Sequence, residues 1–225
     1  MNVNRSTQII PVLDIREGVV VKASGGRRDD YMPIASPIAP SSDPVQIVDG
    51  FIKLFGFSLF YIADLDAIIG SGSNKRVVEE LLNRFDLHFM LDGGFRRQRD
   101  IWKHPDLTPI VATETFEDWD NADSLSDVIV SIDTFDGNLL TPGGCATLES
   151  SLGRARALGV WRFIHLRLEA VGEPDFDETR LIPPAPGEKW YAGGGVRTED
   201  DLRKLKSLGY VGALVSTALH NQKLP

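Results

Sequence analysis

Cysteine is nearly absent. Cys145 is the only one in 225 residues, so no intramolecular disulfide can form, and a reducing cytoplasm is the expected compartment. Histidine is sparse too. His88, His104, His165 and His220 are scattered, none with another histidine at i+3 or i+4, so no metal site is expected. No apolar run approaches the ~20 residues of a membrane-spanning helix, and the first residues lack the apolar stretch of a secretory signal. Positive charge is also short: 24 Lys and Arg against 32 Asp and Glu give a formal net charge of −8. That balance disfavours nucleic acid or an anionic membrane as partner. A small anionic ligand stays possible, because local amides and arginines can outweigh a mildly negative whole.

The material that is present is globular. Apolar residues are 42% and charged residues 25%, which excludes intrinsic disorder, and the length suits one large domain or two small ones. Short apolar runs at 9–13, 59–63, 87–91, 109–112, 128–132, 161–166, 190–192 and 213–215 read as eight strands. Amphipathic stretches lie between them. Asp43 and Pro44 open a helix with Val45, Val48, Phe51, Ile52 and Phe55 on one face, and another starts near Asn74. Further helices are expected near 97–104, 145–158 and 199–208, with a weaker one at 116–124. Thr198 and Asp201 form a capping box for the 199–208 helix, and Gly209 closes it. Strand and helix in strict alternation predict an α/β fold, a single closed (β/α)₈ barrel over 1–225. Four prolines in 173–186 and an end at Pro225 predict trimmed sixth and eighth helices.

An internal repeat sharpens the reading. LDGGFRRQRDIWK (91–103) lines up with AGGGVRTEDDLRK (192–204), and VLDIREG (12–18) with SIDTFDG (131–137). FYIADLDAI (60–68) matches FIHLRLEAV (163–171), and PIVATE (109–114) matches ALVSTA (213–218). The four matches keep one order, which predicts two duplicated half-barrels, about 1–126 and 127–225.

In such a barrel the site lies at the carboxyl ends of the strands. Asp14 and its repeat mate Asp133 follow strands one and five, on opposite sides of the ring, which suits a base and an acid acting on one substrate. Gly193, Gly194 and Gly195, with Ser216 and Thr217, form a candidate phosphate cradle, since glycine lets backbone amides approach an anion. The segment 22–40 is long for a βα loop, and Arg27 and Arg28 make it a candidate lid over an anionic substrate.

Over nearly the whole chain, PVLDIREGVVV, YIADLDAI, DGGFR, SIDTFDG, YAGGGVRTEDDL and LVSTALH resemble the HisA/HisF family of half-barrel repeat proteins in histidine biosynthesis. The isomerase side of the family is the closer likeness. The resemblance implies an Amadori-type aldose–ketose isomerisation of a phosphoribosyl-type metabolite, with Asp14 as base, Asp133 as acid, and no cofactor or metal. It implies a second phosphate site at Gly93, Gly94, Ala112 and Thr113 beside the one at Gly194, Gly195, Ser216 and Thr217. It also gives Asp64 and Asp66 a structural or orienting role rather than a catalytic one. The sequence departs from the family pattern at Leu166 and Arg167, where the isomerase carries Thr and Asp, and at Asp92, where it carries glycine. Arg167 is then a further candidate for substrate contact. Asp92 and Glu114 flank the first cradle, so phosphate is expected at the second cradle and little or none at the first. A paralogue acting on another phosphorylated metabolite and a non-catalytic phosphate-binding barrel are the alternative functions.

Overall fold

The computed structural model describes residues 7–144 and 146–224, so Cys145, where the 145–158 helix was expected to begin, lies outside the described residues. Eight parallel strands are present: β1 (Gln8–Arg16), β2 (Leu59–Asp64), β3 (His88–Asp92), β4 (Leu107–Ala112), β5 (Ile129–Phe135), β6 (Arg162–Arg167), β7 (Lys189–Gly193) and β8 (Gly212–Val215). Each pairs with the next, and β8 returns to β1 with Gln8 beside Gly212 and Pro11 beside Val215. The ring is closed, and the fold is an α/β TIM barrel.

Strand periodicity sorts the side chains into two layers. Ile10, Tyr61, Met90, Ile110, Ile164 and Leu214 fill the barrel interior. Their neighbours Leu13, Phe60, Phe89, Val111, Phe163 and Ala213 point outward into the helix layer. The same parity carries Asp14, Asp92 and Asp133 inward at the top of β1, β3 and β5. Burying such aromatic and branched side chains contributes roughly 1.5–3 kcal/mol each.

The outer layer comprises α1 (Pro44–Phe55), α2 (Leu65–Ile69), α3 (Lys75–Arg84), α4 (Leu148–Ala157), α5 (Glu199–Ser207) and α6 (Thr217–His220). The Asp43 side chain accepts from the Gln46 N–H at the start of α1. The expected trimming is present: β6 is followed only by short 3₁₀ turns at Leu168–Ala170 and Glu178–Arg180, and α6 is a single turn. Two expected helices do not form. Over 97–104 there is only the 3₁₀ turn Gln98–Asp100, and 116–124 is irregular. Side chains replace the helical ladder there: Asp118 accepts from Gln98 N–H, and the Gln98 side chain accepts from Asp123 N–H.

The acidic-Gly pairs of the 12–18 and 131–137 match turn out to be hairpin corners. Glu17 and Gly18 have φ of 51° and 81°, and Asp136 and Gly137 have 48° and 78°, as a tight two-residue turn needs. The first hairpin leads into 22–40, which packs over the barrel mouth. Ile34 and Ile38 are buried in the core, and Gly25 N–H donates to the Val171 carbonyl after β6. Gly50 in α1 admits this segment, because a Cβ there would lie 2.3 Å from the Ile38 carbonyl oxygen.

Candidate active site

Four carboxylic acids converge at the top of the barrel. Asp14, Asp92 and Asp133 are buried by the strand ends that carry them, and Glu114 follows β4. Asp14 is 8% exposed, lines the central cavity, and its Oδ2 has no hydrogen-bond partner. Burial pushes its carboxyl up to about 7, although Arg28 draws it back down. Burial also raises Asp92 far above the usual carboxylate range, and the charges of Asp133 and Glu114 add to it. Asp133 is raised by burial and then by Glu114. Its Oδ1 accepts the Ser131 hydroxyl at 2.6 Å and its Oδ2 accepts Glu114 N–H at 3.4 Å. Tyr61, between these acids, is raised by burial and by Asp92 first among them.

The 22–40 segment delivers Arg28 and Tyr31 into the same cavity. Arg28 forms an ion pair with Glu114 at 2.5 Å, tying the segment to the end of β4. The cavity encloses about 70 Å³, room for a few waters.

The turns after β3 and β7 differ although their sequences match. After β7, Gly194 and Gly195 have φ of 98° and 81° and lie on the cavity wall with Ser216 and Thr217. A Cβ on Gly195 would come within 2.5 Å of the Asp175 carbonyl oxygen, so only glycine fits there. Arg197 stands beside them, its guanidinium donating to the Gly172 carbonyl and paired with no carboxylate among the described residues. The amides of Arg197 and Thr198 are not free for a ligand: Asp201 accepts both at 2.9 Å.

After β3, Gly93 and Gly94 face an outer groove rather than the central cavity. The Gly94 N–H donates to Asp92 Oδ1 at 3.1 Å, and the Thr113 hydroxyl accepts Asp133 N–H at 3.0 Å. Arg96, the counterpart of Arg197, donates to the carbonyls of Ala67, Gly94 and Ile68 at 3.0–3.2 Å.

The structure therefore brings Asp14, Arg28, Gly193, Gly194, Gly195, Ser216 and Thr217 to one cavity. Asp133 lies behind the wall, fully buried. Arg27 is exposed and pairs with Asp30 at 3.1 Å. Arg167 is buried and held by Glu169 and Asp175, each at 3.2 Å, away from the cavity. Asp64 and Asp66 hold Asn74, whose amide donates to both and to the Ile15 carbonyl. Sequence reasoning passed over Tyr31, Tyr61 and Arg197. For Arg197 the sequence carries a signal, the Gly-Gly-x-Arg that the two turns share.

The family model described as histidine biosynthesis protein matches residues 8–225. The chain belongs to that family. An uncharacterized protein of Methanocaldococcus jannaschii is 31% identical over 95% of this chain and 93% of its own. Proteins from Thermococcus onnurineus (27% identity, 96% of this chain and 95% of theirs) and Moorella thermoacetica (28%, 95% and 93%) carry a function in their names. Both are called 1-(5-phosphoribosyl)-5-((5-phosphoribosylamino)methylideneamino) imidazole-4-carboxamide isomerase.

Proposed function

We propose that this family member is an aldose–ketose isomerase of the Amadori type acting on a phosphorylated, phosphoribosyl-type metabolite. The observation that carries the reading is Asp14: a buried carboxyl raised to about 7 that lines the same cavity as Gly194, Gly195, Ser216, Thr217 and Arg197. A base poised near the working pH is suited to moving the proton on the carbon beside a masked carbonyl. The β7–β8 turns are the proposed phosphate anchor, since glycine amides, two hydroxyls and a guanidinium with no carboxylate partner among the described residues match a phosphate's acceptors. Asp133 is the proposed acid: burial and then the adjacent Glu114 raise its carboxyl, and a shift of the Arg28–Glu114 pair would open it to substrate.

The chain is either the histidine-pathway isomerase or a paralogue with another phosphorylated substrate. The replaced β6 end favours the paralogue, because Arg167 is engaged by Glu169 and Asp175 rather than turned to the cavity. Expression in an isomerase-deficient histidine auxotroph decides between them. Rescue by wild type and not by Asp14→Asn supports the histidine precursor as substrate. Absence of rescue, with Asp14-dependent exchange of solvent deuterium into another sugar phosphate, supports the paralogue. Absence of both removes the enzyme reading.

A further inference from the structure

The turn after β7 is held by backbone from one short stretch, 167–176. The Arg167 carbonyl oxygen lies where a Cβ on Gly194 would fall, and the Asp175 carbonyl oxygen is 2.5 Å from the Cβ position of Gly195. The Gly172 carbonyl accepts from the Arg197 guanidinium. Gly194, Gly195 and Arg197 thus each rest against a carbonyl of the preceding connection, and the path of that connection sets the path of the turn.

Regular structure does little to fix this stretch. β6 ends at Arg167, and only the 3₁₀ turn Leu168–Ala170 stands between it and Asp175. Its course is fixed by a side chain. Arg167 is 2% exposed and reaches forward along the chain, Nη1 donating to the Asp175 carbonyl and Nη2 to the Asp175 carboxylate, each at 3.2 Å. Its Nε donates to Glu169 Oε1, also at 3.2 Å. The Asp175 carbonyl oxygen that Arg167 holds is the same atom that lies against Gly195. A planar guanidinium can make these three bonds at once, and an ammonium on a flexible stem cannot reproduce that fork.

Deepening the isomerase reading and resting on its phosphate anchor, we propose that Arg167 is a positioning residue for that anchor. It clamps Asp175, the clamp sets the 167–176 stretch, and the stretch holds Gly194, Gly195 and Arg197 in the shape that takes a phosphate. Arg167 does this from outside the cavity, without touching the ligand.

Isothermal titration of the full chain with inorganic phosphate tests this, with circular dichroism to establish that each variant is folded. Asp175→Ala is the sharpest variant. Its side chain is 58% exposed, so the fold should survive, and removing a negative charge near the anchor would by itself tighten phosphate. The clamp predicts the opposite sign, with binding about threefold weaker. Arg167→Lys keeps the charge and loses the fork, and should weaken phosphate about fivefold; Arg167→Met should weaken it about tenfold. A role in stability alone would lower the melting temperature of these variants and leave phosphate affinity unchanged. Unchanged or tighter binding in Asp175→Ala, or wild-type binding in Arg167→Lys, overturns the positioning role, and the anchor stands without it if Arg197→Ala still weakens phosphate. If the wild type binds no phosphate, or Arg197→Ala changes nothing, the anchor itself fails and the inference falls with it.

Discussion

The turns after β3 and β7 start from the same Gly-Gly-x-Arg pattern and reach different ends. After β7, an additional glycine precedes the pair, and Arg197 stays on the cavity wall with one backbone carbonyl for company. After β3, the residue at the position of Gly193 is Asp92. Its carboxyl captures the Gly94 amide, and Arg96 folds back onto the carbonyls of α2. One side chain converts an anion cradle into a self-satisfied corner. A repeat motif thus reports a backbone shape, and whether that shape binds anything depends on which of its donors the protein has already used.

The contrast between a live and a closed corner matters most through Asp14, which lines the same cavity as the live corner. Asp14→Asn keeps the shape and removes the base, so turnover on the substrate identified by isomerase assay should fall by ~10²–10⁴ with little loss of ligand affinity. Unchanged turnover would remove Asp14 from the chemistry.

The same carboxyl predicts an unusual pH effect. Its folded value of about 7 lies above the ordinary aspartate value. The native state therefore holds a proton that the unfolded chain releases, so this contribution is fully present below pH ~4 and is lost as pH rises to ~7. Denaturation of Asp14→Asn and wild type should give similar stabilities near pH ~4, with the variant gaining up to about 4 kcal/mol on wild type by pH ~8. A variant less stable than wild type at high pH would mean that Asp14 is paired and charged in the native state.

A smaller effect separates the two arginines. Arg197→Ala should weaken inorganic phosphate binding ~10–100-fold while leaving the fold intact, because one charged hydrogen bond is worth ~1.5–3 kcal/mol. Arg96→Ala should leave phosphate binding alone and lower stability by about 1–3 kcal/mol, through the loss of its bonds to three carbonyls. Calorimetric titration and urea denaturation read the two separately. The reverse pattern would exchange the roles of the two turns.

Much of the barrel was legible in the sequence because strand periodicity and buried branched residues are local signals. The eight apolar runs fall on the eight strands, and the prolines of 173–186 mark the missing sixth helix. The stretches 97–104 and 116–124 misled, since Ile101, Trp102, Phe116 and Trp119 have helix-like spacing. Those side chains pack against the core from irregular backbone, whose polar groups are satisfied by Gln98 and Asp118. At the site, the inward parity of Asp14 could be read from the strand pattern. The commitment of Arg167 to Glu169 and Asp175 could not, because it depends on how the proline-rich segment after β6 folds back. The placing of Asp133 behind Glu114 likewise depends on a turn, not on a period.

The most direct test is an electron-density map of crystals soaked in inorganic phosphate. Density for one anion against Gly194, Gly195, Ser216, Thr217 and Arg197, with none beside Gly93, Gly94 and Thr113, is the predicted result. Density at both turns, or at the β3 turn alone, would contradict it.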